Sequence, residues 1–368
     1  MVITMRSLTS LLTPKPTQFS LFSPKFPPFH KTHHFSFFSS PPSFMSAPIH
    51  ASSSSPLSCS QTHYHHSSGP SSPFCTYQLN SLHTHTFVDE VDHDVSGRNL
   101  WLKMLDEARS DVTVEPILSS YYHSSILSHK SLESALANHL AIRLSNASLP
   151  SATLYDLFKG ILDGDDEHNI MDAVKDDLRA VKERDPACIS YVHCFLNFKG
   201  FVACQAHRVA HNLWLQGRKV LAVMIQNRVS EVLGVDIHPG AKIGSGILLD
   251  HATGIVVGET AVIGNDVSIL HSVTLGGTGK ASGDRHPKIG DGVLIGAGTC
   301  ILGNIKVGDG AKIGAGSVVI KDVPPRTTVV GNPAKLVGGK NNPIKLDNIP
   351  SFTMDHTSNI SEFYDYCV

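Results

Sequence analysis

The first 88 residues of this 368-residue chain contain no aspartate or glutamate, and Arg6, Lys15, Lys25 and Lys31 are their only strong bases. The absences continue along the whole chain. No apolar run approaches the ~18 residues of a spanning helix, which excludes a transmembrane anchor of that kind. The seven cysteines (59, 75, 188, 194, 204, 300 and 367) form no CxxC and no zinc-like cluster. Their odd number and irregular spacing exclude a disulfide framework and fit free thiols in a reducing compartment. A net charge of −2 with no basic stripe gives nucleic acid nothing to bind.

What the acid-free segment does contain is Ser, Pro, Thr and His. That composition buries too little apolar surface to offset chain entropy, so residues 1–90 are expected to be a disordered leader. A Ser-rich stretch without acids has the character of an organelle transit peptide. A single Arg among many Ser favours a plastid (chloroplast), with the mitochondrion as the alternative. Met45 is a candidate internal start. Removing residues 1–88 leaves 26 Lys+Arg against 32 Asp+Glu, an acidic mature protein.

Folded sequence begins with the acids from Asp89 to Asp94, and residues 98–233 read as an α-helical domain of five to eight helices. Leu132, Leu136, Leu140 and Leu144 lie four apart on one helix face, with Ser131 as N-cap and Glu133 in the first turn. Pro116, Pro150, Pro186 and Gly164-Asp165-Asp166 punctuate the region. Cys188, Cys194 and Cys204, in apolar helical sequence, read as buried structural thiols.

The period then changes to six. Ile237, Ile243, Leu249, Ile255, Ala261, Val267 and Val273 keep that spacing, and Ile289, Ile295, Ile301, Val307, Ile313 and Val319 resume it. Of 29 glycines, 23 lie between 234 and 339. A hexapeptide repeat of this kind specifies a left-handed parallel β-helix over 234–339. Each unit is one flat face, and stacked coils bury a core no single repeat buries alone. From Val273 the next position in register is 279, yet the pattern restarts at 289, so the loop TLGGTGKASGDRHPK leaves the coil. Long excursions from a regular scaffold are usually functional.

Several segments carry chemistry. They are Asp236-Ile-His-Pro, Leu249-Asp250-His251-Ala-Thr-Gly, Gly258-Glu-Thr, Val273-Thr-Leu-Gly-Gly-Thr-Gly-Lys and Gly283-Asp-Arg285-His286-Pro-Lys. With Lys182-Glu-Arg-Asp185-Pro-Ala upstream and Gly331-Asn-Pro-Ala-Lys335 at the close, residues 98–368 resemble the serine acetyltransferases. The leader and the Asp-Tyr-Cys-Val end are similar to plant organellar members. The resemblance implies an α + left-handed parallel β-helix fold built into trimers that pair through their helical domains, with active sites between subunits. It implies transfer of acetyl from acetyl-CoA to L-serine, the first step toward cysteine. It also implies His251 as general base, Asp236 as the carboxylate orienting it, and Asp185, Asp250, Arg285 and His286 as serine-binding residues. Gly277, Ala297, Lys312 and Ala315 match positions lining the CoA groove.

Physical chemistry agrees with those roles. A serine hydroxyl is a poor nucleophile until a base takes its proton, a task suited to histidine. A carboxylate on the far imidazole nitrogen fixes its tautomer. Asp185 and Asp250 suit the substrate ammonium, and the Arg285 fork suits its carboxylate. Backbone N–H groups around Gly276-Gly277 are candidates for an oxyanion site. Acetyl-CoA is a co-substrate, and neither a resident cofactor nor a metal is implied. No Ser or Cys flanks His251, so direct transfer in a ternary complex is expected.

Three other readings compete. Trimeric β-helix carbonic anhydrases hold zinc on three histidines, for which His251, His271 and His286 are available. Two ligands of that family lie five residues apart, whereas these are twenty and fifteen apart. A sugar or another amine as acceptor sits poorly with an arginine-plus-acids set. A non-catalytic regulator on a dead scaffold leaves the Asp236/His251 pair without purpose.

Residues 340–368 are expected to be a flexible tail. The resemblance implies that it docks in the active site of O-acetylserine sulfhydrylase, whose pocket accepts the terminal carboxylate. This chain ends in Val368 where family tails commonly end in Ile, a methylene worth about 0.8 kcal/mol.

Overall fold

The computed structural model describes residues 93–164, 170–279 and 282–356. The chain divides into two compact units, Met1–His83 and Thr84–Val368, and every described residue belongs to the second. The leader expected over 1–90 and the last twelve residues, 357–368, lie outside the described residues.

Eight α-helices come first: α1 His93–Val114, α2 Ser119–Tyr122, α3 Leu132–Leu144, α4 Ser151–Leu162, α5 Ile170–Arg184, α6 Tyr191–Asn197, α7 Lys199–Leu215 and α8 Lys219–Leu233. Ser131 caps α3, accepting from the Ser134 N–H, while the Ser134 hydroxyl faces back in a capping box. Leu132, Leu136, Leu140 and Leu144 are all buried, the face their spacing predicted. Gly234 ends α8 in the left-handed conformation at φ +68°, which costs glycine nothing. None of the described helices is long and apolar enough to cross a membrane.

The chain then coils. Strands β1 Asp236–Ile237, β2 Lys242–Ile243 and β3 Leu248–Leu249 make the first turn of a three-sided left-handed β-helix. The second turn is β4 Val256–Val257, β5 Val262–Ile263 and β6 Ser268–Ile269, and the third is β7 Thr274–Gly276, β8 Lys288–Ile289 and β9 Leu294–Ile295. β10 Cys300–Leu302, β11 Lys306–Val307, β12 Lys312–Ile313, β13 Val318–Val319, β14 Thr328–Val330 and β15 Lys335–Leu336 complete it. The three faces run β1-β4-β7-β10-β13, β2-β5-β8-β11 and β3-β6-β9-β12-β14-β15. All pairings are parallel except the closing β14–β15.

The coil departs from the uniform six-residue reading in one place. Ile237 pairs with Val257 and Leu249 with Ile269, an offset of twenty, whereas Val257 pairs with Leu275 at eighteen. The corner between β3 and β4, residues 250–255, holds six residues where its counterparts 238–241, 244–247, 258–261 and 264–267 hold four. Two residues are inserted at Asp250–His251. The spacing hides them because a strand turns alternate side chains the same way. Ile255, Ala261, Val267 and Val273 occupy inward positions two before Val257, Ile263, Ile269 and Leu275, and all eight are buried. The excursion after β7 is correspondingly shorter than expected. The position in register after Leu275 is 281, so the restart at Ile289 is eight residues late rather than ten.

Two buried arginines fasten the helices to the coil. Arg208 on α7 donates to Asp177 on α5 at 2.7 and 3.1 Å and to the Gly244 carbonyl at 2.7 Å. The other Asp177 oxygen accepts the Ile247 N–H at 2.8 Å. Removing one member of such a buried pair costs about 3–5 kcal/mol, because it strands the other charge. Arg184 on α5 donates to the Gly246 carbonyl and to Asp266 at 2.9 and 2.8 Å. Gly200 lets α7 approach the coil, since a Cβ there would lie 2.0 Å from the Leu249 carbonyl oxygen.

The stretch expected to be a loose tail from 340 is packed as far as it is described. Arg326 holds the Leu346 carbonyl at 2.7 Å. A short helix α9, Pro350–Thr353, follows. Ser268 donates to the Ser351 carbonyl at 3.2 Å, and the Arg184 guanidinium lies 4.8 Å from the Phe352 ring centre.

Candidate active site

The residues singled out by sequence fall on two corners of the triangular coil. The first is the enlarged corner 250–255. His251 and Ala252 both sit at positive φ, 53° and 56°, a region that Asp266, Ser272 and Arg326 also enter at other turns of the coil. Hydrogen bonds hold them there, from the Ala252 N–H to the Asp250 carbonyl at 2.6 Å and from the Thr253 N–H to the His251 carbonyl at 2.7 Å. Lys199 at the start of α7 bonds to the Thr253 hydroxyl. The turn projects the His251 side chain outward, 77% exposed, with its Nε2 3.8 Å from Asp250 Oδ1. The His271 ring, one coil below, is 6.1 Å away centre to centre.

Ala297 and Ala315 continue down the same corner, stacked through the Gly316 N–H to the Ala297 carbonyl at 2.8 Å. Lys312 differs from the solvated outer-face lysine that its sequence position suggests. It is 2% exposed, and burial lowers its pKa against the opposing pull of Asp355. His356 belongs to the same neighbourhood, its pKa lowered by burial and by Lys312 while Asp250 pulls it upward. The C-terminal segment therefore reaches the ground on which the CoA-groove residues were placed, which no repeat-based signal foretells.

The second corner carries the excursion between β7 and β8. His286 is 4% exposed and lies over Gly258, where a Cβ would be 2.0 Å from its Nε2. Arg285, one-third exposed, faces Glu259 at 3.5 Å. Gly277 packs beside both, with Arg285 Nη1 and His286 Nε2 at 3.3 and 3.4 Å from the place of a Cβ. Burial, then the charges of Arg285 and Lys288, push the His286 pKa down, opposed by Glu259. Lys288 ties the loop's return by donating to Asp284 at 2.6 Å and to the Thr260 and His286 carbonyls at 2.8 and 2.7 Å.

Two predicted residues sit elsewhere. Asp185 follows α5 in a turn closed by its own carboxylate, which accepts the Ala187 N–H at 2.8 Å. Its neighbour Arg184 pins that turn to the coil. Asp236 lies on β1, where its Oδ1 accepts the Gln226 amide of α8 at 2.7 Å. No hydrogen bond or ion pair joins Asp236 to His251, whose nearest carboxylate is Asp250. Sequence reading missed Gln226, a helix-face amide with no motif around it, and it left Thr260 unassigned inside Gly258-Glu-Thr. Among the described residues no cluster of three or more His, Cys, Asp or Glu side chains suits a metal ion.

One corner thus offers an exposed imidazole beside a carboxylate, and the other offers a guanidinium beside a buried imidazole. Comparison with known proteins gives this arrangement a context. Residues 100–206 match the family model for the serine acetyltransferase N-terminal region, and 286–321 match the six-repeat bacterial transferase hexapeptide model. The chain is 65% identical over 297 residues to the mitochondrial serine acetyltransferase 3 of Arabidopsis thaliana, covering 81% of this chain and 75% of that one. It is 66% identical over 292 residues to the chloroplastic serine acetyltransferase 1 of the same plant, covering 79% and 90%. The solved structure of a soybean serine acetyltransferase complexed with serine is 63% identical, superposes with a TM-score of 0.63, and covers 65% of this chain and 98% of its own. The hexapeptide coil, the helical unit fastened to it and these likenesses together place the chain in the serine acetyltransferase family.

Proposed function

We infer that this acetyltransferase works with His251 as the base and with the Arg285–His286 corner as the receptor for the serine carboxylate. The reaction is acetyl transfer from acetyl-CoA to the L-serine hydroxyl, giving O-acetyl-L-serine and CoA. The observation that carries the assignment is the enlarged, hydrogen-bonded corner 250–255, which presents the imidazole to solvent beside Asp250.

The proposed chemistry is direct transfer between the two substrates. His251 takes the hydroxyl proton as the serine oxygen attacks the thioester carbonyl. The resulting imidazolium returns that proton to the departing thiolate. Asp236, whose Oδ1 Gln226 holds in the separate chain, is the carboxylate assigned to orient the imidazole once the substrates are bound. Asp250 and Asp185 receive the substrate ammonium. Arg285 supplies a planar fork for the carboxylate, and Gly277 keeps that fork open by lacking a side chain. Gly276-Gly277 N–H groups face the developing oxyanion. Ala297 and Ala315 leave a shallow groove for the pantetheine arm of acetyl-CoA, with Lys312 at its edge.

The base and the carboxylate receptor lie on different corners of one prism, so a second copy of the chain completes each site. A trimer packed through the β-helix brings the 250–255 corner of one protomer to the 284–288 corner of the next. Pairing of trimers through the helices is the further step. The enzyme works in an organelle, a plastid on the composition of its leader. Its last residues engage the sulfhydrylase that consumes O-acetylserine. Titrating a peptide of residues 359–368 into that enzyme checks this, and no binding at millimolar peptide would reject it.

The direct test of function is thiol release from acetyl-CoA against a panel of hydroxy amino acids, their amides, amino sugars and neutral sugars. Serine turns over fastest and serinamide poorly. A sugar turning over faster than serine would overturn the assignment.

A further inference from the structure

The Thr260 side chain meets both Arg285 and His286 at the receptor corner, although nothing in the proposed chemistry uses it. Its Oγ1 accepts the Arg285 N–H at 3.1 Å and the His286 N–H at 3.2 Å. Both lone pairs of the hydroxyl are then occupied, and its proton has two acceptors within reach, His286 Nδ1 at 2.9 Å and the Asp284 carboxylate. The Thr260 backbone N–H points at the same nitrogen from 3.1 Å. A backbone N–H only donates, so Nδ1 carries no proton and the neutral ring bears its hydrogen on Nε2. Which nitrogen is protonated is set by the bond the other makes.

That Nε2 lies against Gly258, whose missing side chain leaves it room, with Gly277 beside it. Around the ring stand Arg285, Lys288 and His238, which disfavour its protonation, and Glu259, which favours it. The same residue therefore fixes where the loop re-enters the coil, which imidazole nitrogen carries hydrogen, and where the Arg285 backbone sits. The result is a pair of donors, the guanidinium and Nε2–H, suited to a carboxylate such as the Glu259 group that stands 3.5 Å from Arg285.

We propose that Thr260 is the positioning residue that sets this enzyme's specificity for a carboxylate-bearing acceptor, by holding Arg285 and His286 as a donors-only pair. The proposal rests on the assignment of those two residues to the serine carboxylate. Thr260→Val keeps the shape and the backbone N–H but loses the hydroxyl. Thr260→Ser keeps the hydroxyl.

The experiment uses the full chain, with assembly confirmed by size and thermal unfolding. It compares kcat, the KM of serine, the KM of acetyl-CoA and the serine-to-serinamide ratio of kcat/KM. It also compares calorimetric binding of serine without acetyl-CoA. In Thr260→Val the serine KM and Kd rise about tenfold, the acetyl-CoA KM stays within twofold, and the preference over serinamide collapses. Thr260→Ser stays within threefold of the parent throughout.

Arg285→Ala serves as the reference. If it raises the serine KM while Thr260→Val leaves it unchanged, Thr260 does not position the pair and the proposal falls alone. If Arg285→Ala also leaves serine binding unchanged, the receptor assignment itself falls and takes the proposal with it. Equal losses toward both substrates in Thr260→Val, or no rescue by Thr260→Ser, also overturn it.

Discussion

The two corners that carry the site are built in opposite ways. The 284–288 corner is a long excursion drawn back and tied down. Thr260 and Lys288 together close it with side-chain bonds to backbone and carboxylate, and His286 is buried. The 250–255 corner deviates from its neighbours by only two residues, yet it is the one left open, with His251 three-quarters exposed. A group that binds a charge gains from being fixed in one geometry before the ligand arrives. A base has a different requirement, since it must meet a hydroxyl brought by substrate and a thioester brought by another. Exposure in the separate chain suits a group whose surroundings are completed by a neighbour.

The largest test of that contrast is to erase the small insertion. Deleting Ala252 and Thr253 returns the corner to four residues and removes the buried Ala252 and the Lys199 bond to Thr253, while the aliphatic positions of the repeat remain. The coil and its assembly should persist, checked by circular dichroism and size. kcat should fall as far as in His251→Ala, about 10²–10⁴-fold, the span typical of losing a general base. Activity above a tenth of the parent in either variant would remove the corner from the chemistry.

The second test asks whether the corners meet across a subunit boundary. His251→Ala and Arg285→Ala are each nearly inactive alone at low serine. Co-assembled in equal amounts, a symmetric trimer with shared sites recovers about a quarter of parent activity overall and about a third in trimers that hold both chains, because each site needs an intact half from each neighbour. Coexpression with separately tagged chains and assay of the doubly tagged fraction reads this. No recovery in mixed assemblies would place each site within one chain.

The smallest effect concerns pH. Burial and the charges of Arg285 and Lys288 lower the pKa of His286. A histidine shifted downward stays neutral as pH falls through the range where an ordinary imidazole is protonated. Serine affinity, measured by calorimetry, should therefore stay level across that range. A loss of affinity within it would show that His286 takes up a proton there and would break the contrast.

Legibility in the sequence followed a physical pattern. The coil was legible because its aliphatic period of six imposes the three-sided core, and Leu132 to Leu144 were legible because a helix face repeats near four. The register was misread at one place for the same reason that it was readable elsewhere. Ile255 and Val257 both point inward, so an apolar series continues across a two-residue slip without a break. The 273–289 interruption was visible because between Leu275 and Ile289 the only aliphatic residue is Ala281, and only its length was overcounted, by the residues already inserted at 250–255.

The tail shows the reverse case. Residues 345–356 carry little periodicity, yet Leu346 and Ser351 are buried against Arg326 and Ser268. Their order comes from a surface supplied by the rest of the fold.

Sequence by itself determined the architecture and the chemical inventory. Repeat period fixes a β-helix, helical spacing fixes the domain before it, and an Asp, His and Arg set in recognisable segments states what an acyl transfer to an amino acid needs. Tertiary structure decided what each of those groups touches. Asp236 is held by Gln226 rather than by His251, Lys312 is buried under the C-terminal segment, and Thr260 fixes the hydrogen on His286. Each depends on contacts between coils, or between helix and coil, and such contacts join residues whose separation along the chain carries no period to read.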